Sequence, residues 1–170
     1  IVRQREYGQD FLTFAEGLKH VLRQDPDVVM VGEMRDPETI AAALTLAETG
    51  HLIFATLHTP NTIQTVDRII DVFPAHQQRQ VRSQVSMSLK AIVAQKLVPH
   101  VQGGRVAVRE VLLNTPAVGN IIRDSRAQEL KSVLQTNEDI GMITFEKAAK
   151  KMLEAGVITQ EVFDMVVATV

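Results

Sequence analysis

Two polar residues stand where two apolar runs stop. Val28-Val29-Met30-Val31 gives way to Gly32-Glu33, and Leu52-Ile53-Phe54-Ala55-Thr56-Leu57 gives way to His58-Thr59. A carboxylate fixed at the end of a strand can hold a water molecule or take its proton, and an imidazole can meet a phosphate. Both side chains also have ordinary uses. Glu33 could be a helix-cap partner or a surface group, and His58 a packing or capping histidine. Position lends weight to the chemical use, because ligands of parallel α/β sheets bind beyond the C-terminal ends of the strands.

The elements that must position these residues read as alternating helix and strand. Residues 9–24 place Phe11, Phe14, Leu18, Val21 and Leu22 at helical spacing, with Asp10 as the expected cap and Asp25-Pro26-Asp27 as the stop. Asp36-Pro37 starts a second helix by two rules, since Asp is a favoured N-cap and proline at the first helical position leaves no N–H unpaired. Its buried stripe is predicted to be Ile40, Ala43, Leu44 and Ala47, with Gly50 as the stop. Residues 61–72 are helical with Ile63, Val66 and Ile70 inward, and Arg68 lies well round the helix from that stripe. Residues 74–96 read as one long helix with Val81, Val85, Leu89 and Ile92 inward. Gly103-Gly104 marks a hairpin turn before a strand at residues 105–113. The remainder reads as small helices, one of them opened by a Ser125-x-x-Gln128 capping box and carrying Leu130, Val133 and Leu134. Strand–helix–strand–helix order with continuously apolar strands predicts an α/β fold, a parallel sheet covered on both faces, followed by a small helical subdomain.

At 170 residues and 18.8 kDa the chain suffices for one domain or a little more. Net charge is −2, which gives no overall attraction to nucleic acid or anionic membrane. The charge is uneven, though: residues 59–126 carry 9 basic and 4 acidic side chains between acidic flanks. Such a zone fits a surface that meets phosphates or an acidic partner, and equally fits solvated helix faces. One Tyr and no Trp leave little for base stacking, which argues against a nucleic-acid reader. There is no cysteine, so disulfides and thiolate metal sites are excluded and a reducing compartment fits. No apolar run is long enough to span a bilayer. The chain opens at Ile1 without Met and reads as a piece of something longer.

The segment DPDVVMVGEMRDPETIAAALTLAETGHLIFATLHT (residues 25–59) resembles, almost end to end, the Walker B and His-box region of the secretion ATPase superfamily of type II secretion and type IV pili. The opening VRQREYGQDFLTF resembles the stretch after that family's Asp box, and AVGNIIRD (residues 117–124) resembles its AIRNLIRE motif, associated with PilT-like retraction motors. The resemblance implies a RecA-like fold. It makes Glu33 the catalytic glutamate that orients or deprotonates the water attacking the γ-phosphate of ATP, with Mg²⁺ as the accompanying ion. It makes His58, and with less weight His51, nucleotide-sensing residues. In a ring motor a neighbouring subunit supplies positive charge to the transition state, so Arg68, Arg3, Arg5 and Arg35 become arginine-finger candidates. For each of them a surface ion pair is the alternative, Arg68 with Asp71 in particular. No metal is expected to be ligated directly by the protein.

What the 170 residues lack matters as much. A phosphate-cradling loop requires G-x-x-x-x-G-K-[ST], and no glycine here is followed by lysine. The resemblance therefore implies the C-terminal half of the motor, residues 1–113 forming the later part of the RecA-like domain without its P-loop portion and residues 114–170 a helical subdomain. Alone, such a chain is expected to be inactive. Assembly and secretion ATPases usually carry a four-cysteine zinc module after the His box, and its absence here points to the retraction type. The implied partners are a homo-hexamer and an inner-membrane pilus platform protein, with no nucleic acid and no membrane insertion, and the implied location is cytoplasmic, peripheral at the inner membrane. Two rivals stand: a pilus-assembly or type II secretion ATPase without its zinc module, and, for this chain alone, a non-catalytic oligomerisation module.

Overall fold

The computed structural model describes residues 2–169 and is α/β. It divides into two compact units, one formed by residues up to 58 with 69–88, the other by 59–68 with 89 onward. The elements are α1 (Phe14–Val21), β1 (Val28–Val31), α2 (Pro37–Glu48), β2 (Leu52–Ala55), α3 (Thr62–Asp71), α4 (Ala75–Ser88), β3 (Ala91–Pro99), β4 (Arg105–Leu113), α5 (Pro116–Arg123), α6 (Leu130–Thr136), α7 (Phe145–Glu154) and α8 (Gln160–Ala168).

The first unit is built on a β1–α2–β2 crossover. β1 and β2 pair in parallel, with Val28 opposite Leu52 and Val31 opposite Ala55. α2 starts as predicted: Asp36 is the N-cap and Pro37 holds the first helical position. Its buried residues are Thr39, Ile40, Ala43 and Leu46, so the inward stripe includes Leu46, while Leu44 and Ala47 are half-buried. Leu18, Val31, Ala43 and Leu46 make the core, with Phe14, Val29 and Ile53 packed round it. Two expectations fail in this unit. α1 is capped by Thr13, whose hydroxyl accepts from the Glu16 N–H, and Asp10 instead accepts from the Glu6 N–H four residues earlier. The expected cover on both sheet faces is also absent among the described residues, since Val28, Met30, Leu52 and Phe54 are 43–73% exposed. Strand side chains alternate between faces, so a crossover helix on one side leaves the other set in solvent.

The second unit is built on an antiparallel hairpin. β3 and β4 pair from Ala91 opposite Leu113 to Pro99 opposite Arg105. Gly103 and Gly104 turn the loop with φ of 93° and 75°, a left-handed region that glycine adopts without a Cβ clash. Ala94, Val98 and Val108 pack against Phe145, Ala149, Ile158 and Val166 of the α7–α8 pair and the turn between them. The predicted long helix is thus corrected. α4 ends at Ser88, and Ile92, Ala94 and Val98 alternate as strand residues because the hairpin buries that face. The Ser125 capping box does not form either. Ser125 has a φ of 60°, and the single turn at residues 127–129 that precedes α6 has no side-chain cap. The AVGNIIRD stretch lies in α5 and its C-cap, with Val118, Ile121 and Ile122 buried and Arg123 exposed.

β4 also buries a carboxyl. Glu110 is 5% exposed. Its Oε1 accepts from the Thr62 amide at 2.9 Å and the Thr62 hydroxyl at 2.8 Å, and its Oε2 from the Phe145 amide at 3.4 Å.

Candidate active site

The two parallel strands bring Glu33 and His58 to the same end of the sheet. Val31 pairs with Ala55, so the chain leaves both strands at their C-terminal ends, and both residues follow within three positions. Thr56 extends the ladder by one more rung: its hydroxyl donates to the Gly32 carbonyl, and its own carbonyl accepts from the Met34 N–H at 3.1 Å. Glu33 is therefore carried on a loop held at both neighbours, which restricts where its carboxylate can point.

Glu33 Oε2 lies 2.7 Å from Arg35 Nε and 3.5 Å from His58 Nε2. The Glu33 side chain is 32% exposed, against 73% for Arg35 and 83% for His58. The carboxylate is thus the least exposed member, and both nitrogen-bearing side chains lie largely in solvent. No partner occupies Oε1 among the described residues. Exposed ion pairs of this sort add about 0–1 kcal/mol to stability, so the cluster is not explained by what it adds to the fold.

A cleft of about 540 Å³ opens beside Glu33 and Arg35, walled by Tyr7, Thr13, Phe14, Asp36 and Thr39. Tyr7 stacks on Phe14 at 5.7 Å between ring centroids, and Phe11 lies 5.3 Å from Phe14. Asp36 lines the cleft while capping α2, accepting from the Thr39 amide at 2.8 Å and the Thr39 hydroxyl at 2.7 Å. Burial pushes the Asp36 carboxyl up, but the bonds from Thr39, together with those from Glu38 and its own backbone, outweigh it and hold the group below its ordinary value of 3.8.

The remaining candidates lie elsewhere. His51 sits at the opposite end of β2 from His58, with Nδ1 3.0 Å from the Thr49 hydroxyl and 3.2 Å from the Leu46 carbonyl, at the C-terminal end of α2. Arg68 is exposed on α3, and no ion pair joins it to Asp71 among the described residues. Arg3 and Arg5 are exposed ahead of Tyr7 and enter no ion pair among the described residues. Thr56, placed by the sequence inside the apolar run of residues 52–57, was missed as a site residue; a hydroxyl interrupting that run was the usable signal.

The fold sets this strand-end cluster on a parallel α/β unit, and comparison with known proteins gives the chain a family. Residues 4–164 match the Type II/IV secretion system protein family, and the chain belongs to it. It is 47% identical over 161 residues, 95% of its length, to the type IV pilus retraction ATPase PilT of Pseudomonas aeruginosa, covering 47% of that protein. It is 50% identical over 162 residues, again 95% of its length, to a twitching motility protein of Neisseria gonorrhoeae, covering 43% of it. A crystal structure of the pilus retraction motor PilT with bound ADP superposes with a TM-score of 0.88 at 44% identity, over 98% of this chain and 47% of that one. The chain thus spans about half the length of these relatives.

Proposed function

We propose that this chain is the C-terminal half of a hexameric, ATP-hydrolysing motor that powers type IV pilus retraction and hence twitching motility. The observation that carries the reading is the convergence of Glu33, His58 and Arg35 at the C-terminal end of the parallel pair. Residues 1–113 then complete the RecA-like domain and residues 114–170 form its helical subdomain. The parent works in the cytoplasm, docked on a platform protein at the inner membrane. No helix among the described residues is long and apolar enough to cross a membrane.

The donor set fits one side of a magnesium–nucleotide complex. ATP supplies the phosphoryl group and carries Mg²⁺ with it. Glu33 holds the attacking water through Oε1 and takes up its proton, while Arg35 fixes Oε2. His58 turns its Nε2 between the carboxylate and the phosphate edge, which its exposure permits. Because phosphoryl transfer needs mostly positioning and charge neutralisation, one half-buried carboxylate flanked by two exposed donors suits the task. Arg68, and beyond it Arg3 and Arg5, are the groups available to a neighbouring subunit's phosphate. The phosphate-cradling loop is not among these 170 residues and belongs, in this reading, to the preceding part of the parent. For the chain by itself that favours an oligomerisation module without turnover.

The assay that separates retraction from assembly is complementation of cells lacking the parent. The retraction reading predicts that deleted cells are piliated and immobile on surfaces, that the parent restores movement, and that Glu33→Gln does not. Bald cells after deletion would make the protein an assembly motor instead.

A further inference from the structure

We propose that Glu110 is a positioning residue. Its carboxyl joins the first turn of α3 to the first turn of α7, and so fixes the orientation of the helix that presents Arg68. The inference rests on reading the parent as an ATP-driven motor.

A buried acid is uncommon and costly unless its oxygens are used. Both oxygens of Glu110 are used, on Thr62 at the start of α3 and on Phe145 at the start of α7. Helix N-termini carry unpaired N–H groups and a partial positive charge, so one carboxyl at two of them is electrostatically favourable. Capping alone does not explain it, however, because each helix has a cap of its own. Asn61 Oδ1 accepts from the Gln64 amide at 2.8 Å, and Thr144 Oγ1 accepts from the Lys147 amide at 3.2 Å. What Glu110 adds to those caps is the link between the helices. An apolar residue beside Val108 and Leu112 would fill the same space, and apolar replacement of buried ionic groups is often neutral or stabilising.

The linked turn lies next to the candidate site along the chain. His58 precedes Thr62 by four residues, and Arg68 follows it by six, about 9 Å along a helix axis. Thr59 is tied to α3 as well, its hydroxyl 2.7 Å from that of Thr65. A shift in the first turn of α3 therefore moves Arg68 with the helix.

The test uses the full-length parent and compares Glu110→Gln, Thr62→Val, Thr62→Ser and the Glu110→Gln/Thr62→Val double variant, with Glu33→Gln alongside. Glutamine keeps an acceptor for Thr62 but turns an NH₂ towards the Phe145 N–H, cutting the link at α7. Valine removes the hydroxyl's bond and leaves the amide's, weakening the link at α3, whereas serine retains both. The expected result is a kcat lower by about tenfold in Glu110→Gln and Thr62→Val, on the scale of a sub-ångström misplacement. KM for ATP stays within about twofold, Thr62→Ser keeps the parental rate, and the double variant is no slower than the slower single, because both changes weaken the same link. Parental kcat in both single variants, with only a lowered melting temperature, overturns the proposal, as do losses that multiply in the double. If Glu110→Gln fails to assemble, equal rates for Thr62→Val and Thr62→Ser overturn it on their own. A parent that hydrolyses ATP, loses this in Glu33→Gln and tolerates every change at Glu110 and Thr62 leaves the motor reading intact without this inference. A parent with no Glu33-dependent turnover overturns both.

Discussion

Replacing Asp36 with alanine tests whether the loop carrying Glu33 is pinned by the start of α2. The carboxyl accepts two bonds from Thr39, through the amide and the hydroxyl, and Thr39 is only 1% exposed. Losing an N-cap costs about 1 kcal/mol, within a range of roughly 0.5–2. Leaving the buried Thr39 hydroxyl without its acceptor adds about 1–3 kcal/mol. The expected total is therefore about 2–4 kcal/mol for Asp36→Ala. Tyr7 is the chain's one tyrosine, there is no tryptophan, and Tyr7 stacks on Phe14 beside this cap. Its fluorescence during urea unfolding reports on the unit concerned. With a urea dependence of about 2 kcal/mol per molar, the midpoint should fall by about 1–2 M. Asparagine caps about as well as aspartate, so Asp36→Asn should lose less than about 1 kcal/mol. Thr39→Val in the alanine background removes the orphaned hydroxyl and should recover about 1 kcal/mol. A midpoint shift below about 0.3 M for Asp36→Ala, or no recovery from Thr39→Val, would refute the reasoning.

Two further outcomes follow from the same geometry. The Asp36 carboxyl titrates below 3.8 in the folded chain, so its contribution is present above the unfolded value and is lost as pH falls through the lower folded one. Urea unfolding repeated between about pH 5 and 2 should show a shallower acid loss in Asp36→Asn than in the parental chain. At the strand ends, His58→Ala in the full-length parent should lower ATP turnover by about tenfold or more, on the scale of a lost positioned donor. His51→Ala, at the far end of β2 and bonded to the end of α2, should leave turnover within about twofold and lower the melting temperature instead.

What was legible in the sequence was local. Asp36-Pro37 declared the start of α2 because a cap and a proline at the first helical position act through adjacent residues. The parallel pairing of β1 and β2 followed from their apolar runs and the helix between them, and with it the shared strand end of Glu33 and His58. Residues 89–96 were misread because Leu89 and Ile92 continue the spacing of Val81 and Val85. The strand conformation of residues 91–96 is imposed by pairing with β4 and by burial of Ala94 against α7 and α8, which no local pattern contains. Asp10 misled in a different way, being a good cap residue used by a neighbouring turn. Glu110 went unnoticed because a charged residue beside Arg109 reads as an outward one. The alternation itself held the signal, since Val108 and Leu112 share its face and both are fully buried.

The central claim is that Glu33 acts on the water that attacks ATP, and steady-state ATP hydrolysis by the full-length parent and its Glu33→Gln variant tests it most directly. The account predicts a loss of about a hundredfold or more in kcat, the scale of general-base work, with the 170-residue chain inert beside it. A variant that turns over as fast as the parent would contradict the account and leave Glu33 as a strand-end carboxylate held by Arg35.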